Sequence, residues 1–213
     1  MNAKWFTYIA GWLVLIPATG SGNGWTIIQN ATLGNTELTQ TNAESSVQTI
    51  NQIALSNVID EAQQTTTSSN LTLNQTGGQN NKQAANYISA TAAITKSDQA
   101  VINTGAFNLN QSGKNNLQAG NLLEIGTNAT GNYSQLLSTN TASFNKIGTD
   151  FNTNIQAGNA TIINGANSGT LNQKFIAPTV SISVNGSSTM STQLQAGNYL
   201  DLNGTKSTPS NSP

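Results

Sequence analysis

The side chains in this 213-residue chain that could do acid–base chemistry are eight carboxylates and seven amines. All seven amines are Lys, and Cys, His and Arg are absent. That composition excludes a thiol nucleophile, an imidazole base and a thiolate or imidazole metal site. Asp60, Glu61, Asp98, Glu124, Asp150 and Asp201 are the carboxylates to weigh as a glycosidase-type pair. No two of them recur as a pair, and Asp does not return at calcium-ligand spacing. They read as solvated charges, and the chain as a non-enzyme with no catalytic residue, cofactor or metal. With a formal net charge of −1 and no Arg, it also lacks the basic footprint that nucleic acid requires.

The side chains present in quantity are amides and hydroxyls. Asn and Gln make up roughly a quarter of the chain and Ser and Thr roughly another quarter, where charged residues would ordinarily stand. An amide both donates and accepts, so identical amides can bond to one another along a stack. The spacing supports such a stack. Gln-Ala-Gly-Asn occurs at 118–121, 156–159 and 195–198, Gln-Ala-Ala-Asn at 83–86, and the weaker Gln-Thr-Ile-Asn at 48–51. Successive starting glutamines lie about 35, 35, 38 and 39 residues apart, a repeat signature. The candidate self-assembly ladder is therefore Gln48, Asn51, Gln83, Asn86, Gln118, Gly120, Asn121, Gln156, Gly158, Asn159, Gln195, Gly197 and Asn198.

The elements that must position these residues are strands. Apolar or small residues flank each motif with a period of two, as in Leu117, Ala119, Leu123 and Ile125. Counting by that period gives the Asn the apolar parity, so that it points inward or sits at a bend, and puts the Gln and Gly together on the other face. A weaker beat, Gln64, Gln99, Gln135 and Gln173, falls about 16 or 17 residues after each main Gln. Val180 to Val184 and Phe107 to Asn110 alternate strictly, as half-buried strands do. Thr76-Gly77-Gly78, Ser112-Gly113-Lys114, Asn164-Gly165 and Asn185-Gly186 supply turns. Residues 41–64 leave a second reading open, because Val47, Ile50, Ala54 and Val58 also fall near helical spacing behind a Thr41/Glu44 capping box. The repeat register favours strand.

Repeats of this length that cannot bury a face alone must stack. The expected fold is all-β, a β-solenoid of about five repeats spanning residues 38–202. Residues 1–20 read as a secretory signal peptide, with an uncleaved anchor or buried strand as the other reading: Lys4, an apolar run from Trp5 to Ile16, then Pro17 and the small residues Ala18 and Gly20. That run is short for a membrane span, so no stable span is expected once it is removed. Residues 21–37 read as a leader or cap, and 203–213 as a flexible tail. A solenoid has two open edges, and few charges are available here to protect them.

Leu73-Asn-Gln75-Thr-Gly77-Gly-Gln-Asn80 and Leu109-Asn-Gln111-Ser-Gly113-Lys-Asn115-Asn116 resemble the Gln-x-Gly-x-x-Asn core of curlin repeats. The longer period and the repeated Gln-Ala-x-Asn resemble, more loosely, the Fap family of bacterial amyloid fibre subunits. That resemblance implies secreted, amyloid-like biofilm or cell-surface fibres, a nucleator subunit and an outer-membrane exporter. The leading expectation is a homopolymer built by templated strand addition. The alternative is a monomeric β-solenoid adhesin or carbohydrate-binding module.

Overall fold

A computed structural model describes residues 12–17, 25–147, 153–185, 193–202 and 205–207. Every regular element among them is a strand. Each coil has three strands. The first coil comprises β2 (Trp25–Thr32), β3 (Asn35–Thr41) and β4 (Val47–Leu55), and the second β5 (Ile59–Ser68), β6 (Asn70–Thr76) and β7 (Lys82–Ala90). The third comprises β8 (Ile94–Asn103), β9 (Ala106–Gln111) and β10 (Leu117–Ile125), and the fourth β11 (Asn132–Ser138), β12 (Thr141–Ile147) and β13 (Asn154–Ile163). The fifth is β14 (Thr170–Ile176), β15 (Thr179–Asn185) and β16 (Gln193–Leu202). The helical alternative for 41–64 is thereby set aside in favour of β4 and β5.

Corresponding strands pair in parallel from coil to coil and build three sheets, ordered β2-β5-β8-β11-β14, β3-β6-β9-β12-β15 and β4-β7-β10-β13-β16. Two short strands break the parallel rule. β1 (Trp12–Pro17) pairs antiparallel with β2 on the first sheet, and β17 (Thr205–Ser207) pairs antiparallel with β16 on the third. The coil starts at Trp25, ahead of the boundary expected at residue 38. The reason is that the Gln-Ala-x-Asn motif marks only the last strand of each coil, so the two strands before the first motif belong to coil one. β17 likewise lies inside the segment read as a tail.

Strand identity follows from alternation. In β9, Phe107, Leu109 and Gln111 are buried while Ala106, Asn108 and Asn110 are half-buried. Corners between the second and third sheets need a left-handed backbone. Gly77, Gly78 and Gly113 supply it at φ of 67°, 70° and 93°, and Asn80 and Asn115 at 56° and 53°. A side chain on Gly78 would also run into the main chain of Ala43.

The interior is filled by compensating rows. On the first sheet, one row runs Ala31, Thr66, Val101, Leu137, Phe175 and grows in volume coil by coil. On the third sheet, the row Ile50, Ala85, Gly120, Gly158, Gly197 shrinks over the same coils. A Cβ on Gly120 would strike Leu137, and one on Gly158 or Gly197 would strike Phe175. The graded motif from Gln-Thr-Ile-Asn to Gln-Ala-Gly-Asn is thus a packing gradient that keeps the interior close-packed as its partners enlarge.

Candidate self-assembly site

The Gln of every motif sits on the third sheet and points into the solenoid. This corrects the parity count, which placed it on the outer face with the Gly. Gln83, Gln118 and Gln156 are fully buried. Gln118 Nε2 donates to the carbonyls of Leu73 (3.1 Å) and Asn110 (2.9 Å) on the second sheet. The Gly points inward as well, against Leu137 or Phe175. Asn121 is also inward, donating to the carbonyl of Leu136 on the first sheet at 2.8 Å. Gly120 and Asn121 are consecutive residues facing the same side, so the strand's alternation slips by one there. The main-chain partner register accordingly runs through Ala119 and Asn121 but skips Gly120. Ala84, Ala119 and Ala157 fall on the opposite side, in a separate buried cluster with Tyr87, Leu122 and Tyr199.

The amides join into rows along the solenoid axis. In the Gln row of the third sheet, Gln83 donates to Gln48 (2.7 Å), Gln118 to Gln83 (2.7 Å), Gln156 to Gln118 (2.9 Å) and Gln195 to Gln156 (2.8 Å). In the Asn row, Asn51 donates to Asn86 (2.9 Å), Asn86 to Asn121, Asn121 to Asn159 and Asn159 to Asn198 (each 2.8 Å). The two rows run in opposite senses. Each sense is fixed because the same amide nitrogen also serves a main-chain carbonyl of a neighbouring sheet, which sets which end of the amide faces which coil.

A third row uses the weaker sequence beat. Gln64 donates to Gln29 (2.9 Å), Gln99 to Gln64 (3.0 Å), Gln135 to Gln99 (2.8 Å) and Gln173 to Gln135 (2.8 Å). A fourth row on the second sheet was not singled out as a ladder by spacing. There Gln75 donates to Gln40 (3.0 Å) and Gln111 to Gln75 (3.1 Å). The signal for it lay in the Leu-Asn-Gln segments noted above, but the next residues in register are Lys146 and Val184, which hid the row.

Lys146 is the exception in the interior. It is fully buried, and its Nζ donates to the carbonyls of Asn154 (2.6 Å) and Leu194 (3.2 Å). Burial pushes its pKa down to about 7. One coil below, Gln111 Oε1 is buried without a hydrogen-bond partner, in the place where a Gln at 146 would donate.

Among the described residues, no three Asp, Glu, His or Cys cluster to hold a metal ion. Glu61 and Asp98 flank Lys96 at 2.5 and 2.8 Å, and the Lys96 hydrogen bond is the main reason the Glu61 carboxyl is held below its ordinary value. Glu124 accepts from Lys82 (2.7 Å) and the Tyr87 hydroxyl (2.5 Å). Asp150 lies outside the described residues. No helix among the described residues is long and apolar enough to cross a membrane.

The two ends of the solenoid differ. In the first coil, the inward row of β3 is more covered, with Leu38 only 4% and Gln40 8% exposed. In the last coil, the inward row of β15 is open, with Val180 45%, Ile182 56% and Val184 40% exposed. These residues were expected to be half-buried, but among the described residues no further coil covers them. No family model matches this chain, no curated protein matches it, and no solved structure matches it.

Proposed function

We propose that this protein is a secreted structural subunit that polymerises into amyloid-like extracellular fibres, in a biofilm matrix or on a cell surface, in the manner of curlin-type subunits. Its partner is a further copy of itself, added by templated strand pairing. One observation carries the reading. Three amide rows run unbroken through all five coils, from Gln48, Asn51 and Gln29 in the first to Gln195, Asn198 and Gln173 in the last. A row of this kind gains a hydrogen bond with each added layer, and parallel in-register strands give every main-chain group a partner in the layers above and below. Few charges stand in the way of edge-to-edge contact. The scattered carboxylates and buried lysine suit a structural role better than catalysis.

One observation favours the alternative, a monomeric solenoid adhesin or carbohydrate-binding module. β1 covers the edge of β2, and β17 covers part of β16, which is how edge strands are kept from pairing. The test is to incubate the purified chain for days, with and without preformed seeds. Thioflavin-positive fibres giving a meridional reflection at about 4.7–4.8 Å are expected. A chain that remains monomeric under both conditions refutes the fibre reading and leaves the adhesin.

A further inference from the structure

We infer that the fibre has a polarity set by the fold: the open interior of the last coil is the joining surface, and it receives the first coil of a second copy. This inference rests on the fibre reading and assigns the surface and the partner orientation. The first support is the asymmetry of the ends. Val180, Ile182 and Val184 continue inward rows that are buried in the second, third and fourth coils. The row of Ile182 runs Leu38, Leu73, Leu109, Phe144, Ile182, so the Leu38 of a second copy is the residue that would cover it in the same register.

The second support is the sense of the amide rows. At the last coil, Gln195 and Gln173 donate backwards, so their Oε1 atoms face forward as acceptors, while the Asn row sends Asn198 Nδ2 forward as a donor. At the first coil, Gln48 and Gln29 accept from the second coil through Oε1 and keep Nε2 on the outer side, while Asn51 donates forward and keeps Oδ1 outward. Stacked in the same sense, all three rows meet donor to acceptor. Stacked tail to tail, Gln195 would set acceptor against acceptor and Asn198 donor against donor. The polar pattern therefore selects head-to-tail addition, the open heterologous contact that yields a fibre instead of a closed dimer.

The third element is β1. Its antiparallel pairing occupies the edge of β2 that β14 of the preceding copy must take. Joining then requires β1 to leave, either with the predicted signal peptide or by local fraying, and β17 to release Leu200–Leu202 of β16, where β4 of the next copy would pair. Within the full chain, Val14→Pro with Leu15→Pro removes one main-chain donor on each edge of β1, so whichever residue donates to β2 loses its bond.

Elongation on seeds is measured for the full chain, for Val14→Pro/Leu15→Pro, and for that variant carrying either Ile182→Lys or Ile102→Lys. Ile102 is 40% exposed and lies on β8 in the middle of the solenoid, so it controls for added charge alone. The expected result is elongation at least tenfold faster for the β1 variant than for the full chain, a loss of at least tenfold for Ile182→Lys, and little change for Ile102→Lys. Fibres from all chains with Ile182→Lys elongating like Ile102→Lys overturn the surface assignment but not the fibre reading. Equal slowing by both lysines also overturns it, as does growth that halts at a dimer. No fibres from any chain overturn the fibre reading itself. Circular dichroism of each monomer identifies a variant that fails to fold; Val184→Lys, on the same open inward face of β15, then replaces Ile182→Lys with the same expected loss.

Discussion

Replacing Lys146 with Gln should stabilise the solenoid, although it removes an amine that donates to the Asn154 and Leu194 carbonyls. Lys146 stands in the register of the row Gln40, Gln75, Gln111. A Gln there would donate to Gln111 Oε1, which is buried without a partner. It would also reach the carbonyl of Leu194, because Gln111 Nε2 already donates to Ile155, the residue paired with Leu194 one coil earlier. Burial lowers the Lys146 pKa from 10.5 to about 7, a gap that corresponds to on the order of 5 kcal/mol of penalty on the charged amine at pH 7. The Asn154 and Leu194 carbonyls return part of that penalty, while pairing the orphaned Gln111 oxygen adds about 1–3 kcal/mol. A net gain of about 2–5 kcal/mol follows. The pH dependence gives an independent check. Below about 7 the amine is charged in both folded and unfolded chains, and the penalty is present in full. Between about 7 and 10.5 the unfolded chain binds more protons, so wild-type stability rises with pH, by at most about 1.4 kcal/mol per pH unit. Above 10.5 the amine is neutral in both states. Urea unfolding of the monomer from pH 6 to 10.5 should show wild type climbing toward the Lys146→Gln variant as pH increases. A variant no more stable than wild type at pH 7, with a parallel pH profile, refutes the reasoning.

Two further predictions concern the interior. Asn121→Leu with Asn159→Leu removes three links of the Asn row and the donors to the Leu136 and Lys174 carbonyls, at about 1–3 kcal/mol per site; unchanged melting, fibre growth and diffraction would count against the row as a register device. Gly120→Ala sets a methyl against Leu137 and 2.7 Å from the Gly158 carbonyl, at about 1–3 kcal/mol, and adding Leu137→Val should recover much of that loss, because it recreates the Ala85 and Val101 rows of the preceding coil. A double-mutant cycle with no coupling would show that the two rows do not compensate.

Much of this architecture could be read from the motif spacing, because the third strand of each coil carries Gln, a small residue and Asn at fixed positions. The second beat was legible for the same reason, since Gln64, Gln99, Gln135 and Gln173 all survive in register. The middle strand was harder to see. Its row passes from Gln111 to Lys146 to Val184, so the one polar marker that would have counted three strands per coil disappears after the third coil. The facing of Gln118 was misread because strict alternation fails at Gly120 and Asn121, where the strand bends around Leu137 and both residues turn inward. A period-two count has no means of registering that slip. The sense of each row was also beyond reach, since it depends on carbonyls such as Leu73 and Leu136 that arrive from other sheets.

The buried amides also account for why the coils stack in one register and no other. An apolar row such as Leu71, Phe107, Ala142 tolerates sliding at modest cost, because dispersion contacts are non-directional. An amide row does not. Moving Gln118 by one residue would separate it from Gln83 and Gln156 and also strip the Leu73 and Asn110 carbonyls of their donor, leaving several buried polar groups unpaired at once. The apolar rows thus provide cohesion, and the amide rows set the register and direction of stacking. A row fixed in this way is complete only between two neighbouring coils. Its first and last members retain an unused donor or acceptor aimed along the axis, and in this chain both Gln rows end with one polarity while the Asn row ends with the other. The device that orders the coils within one chain is therefore the same one that would choose the orientation of the next.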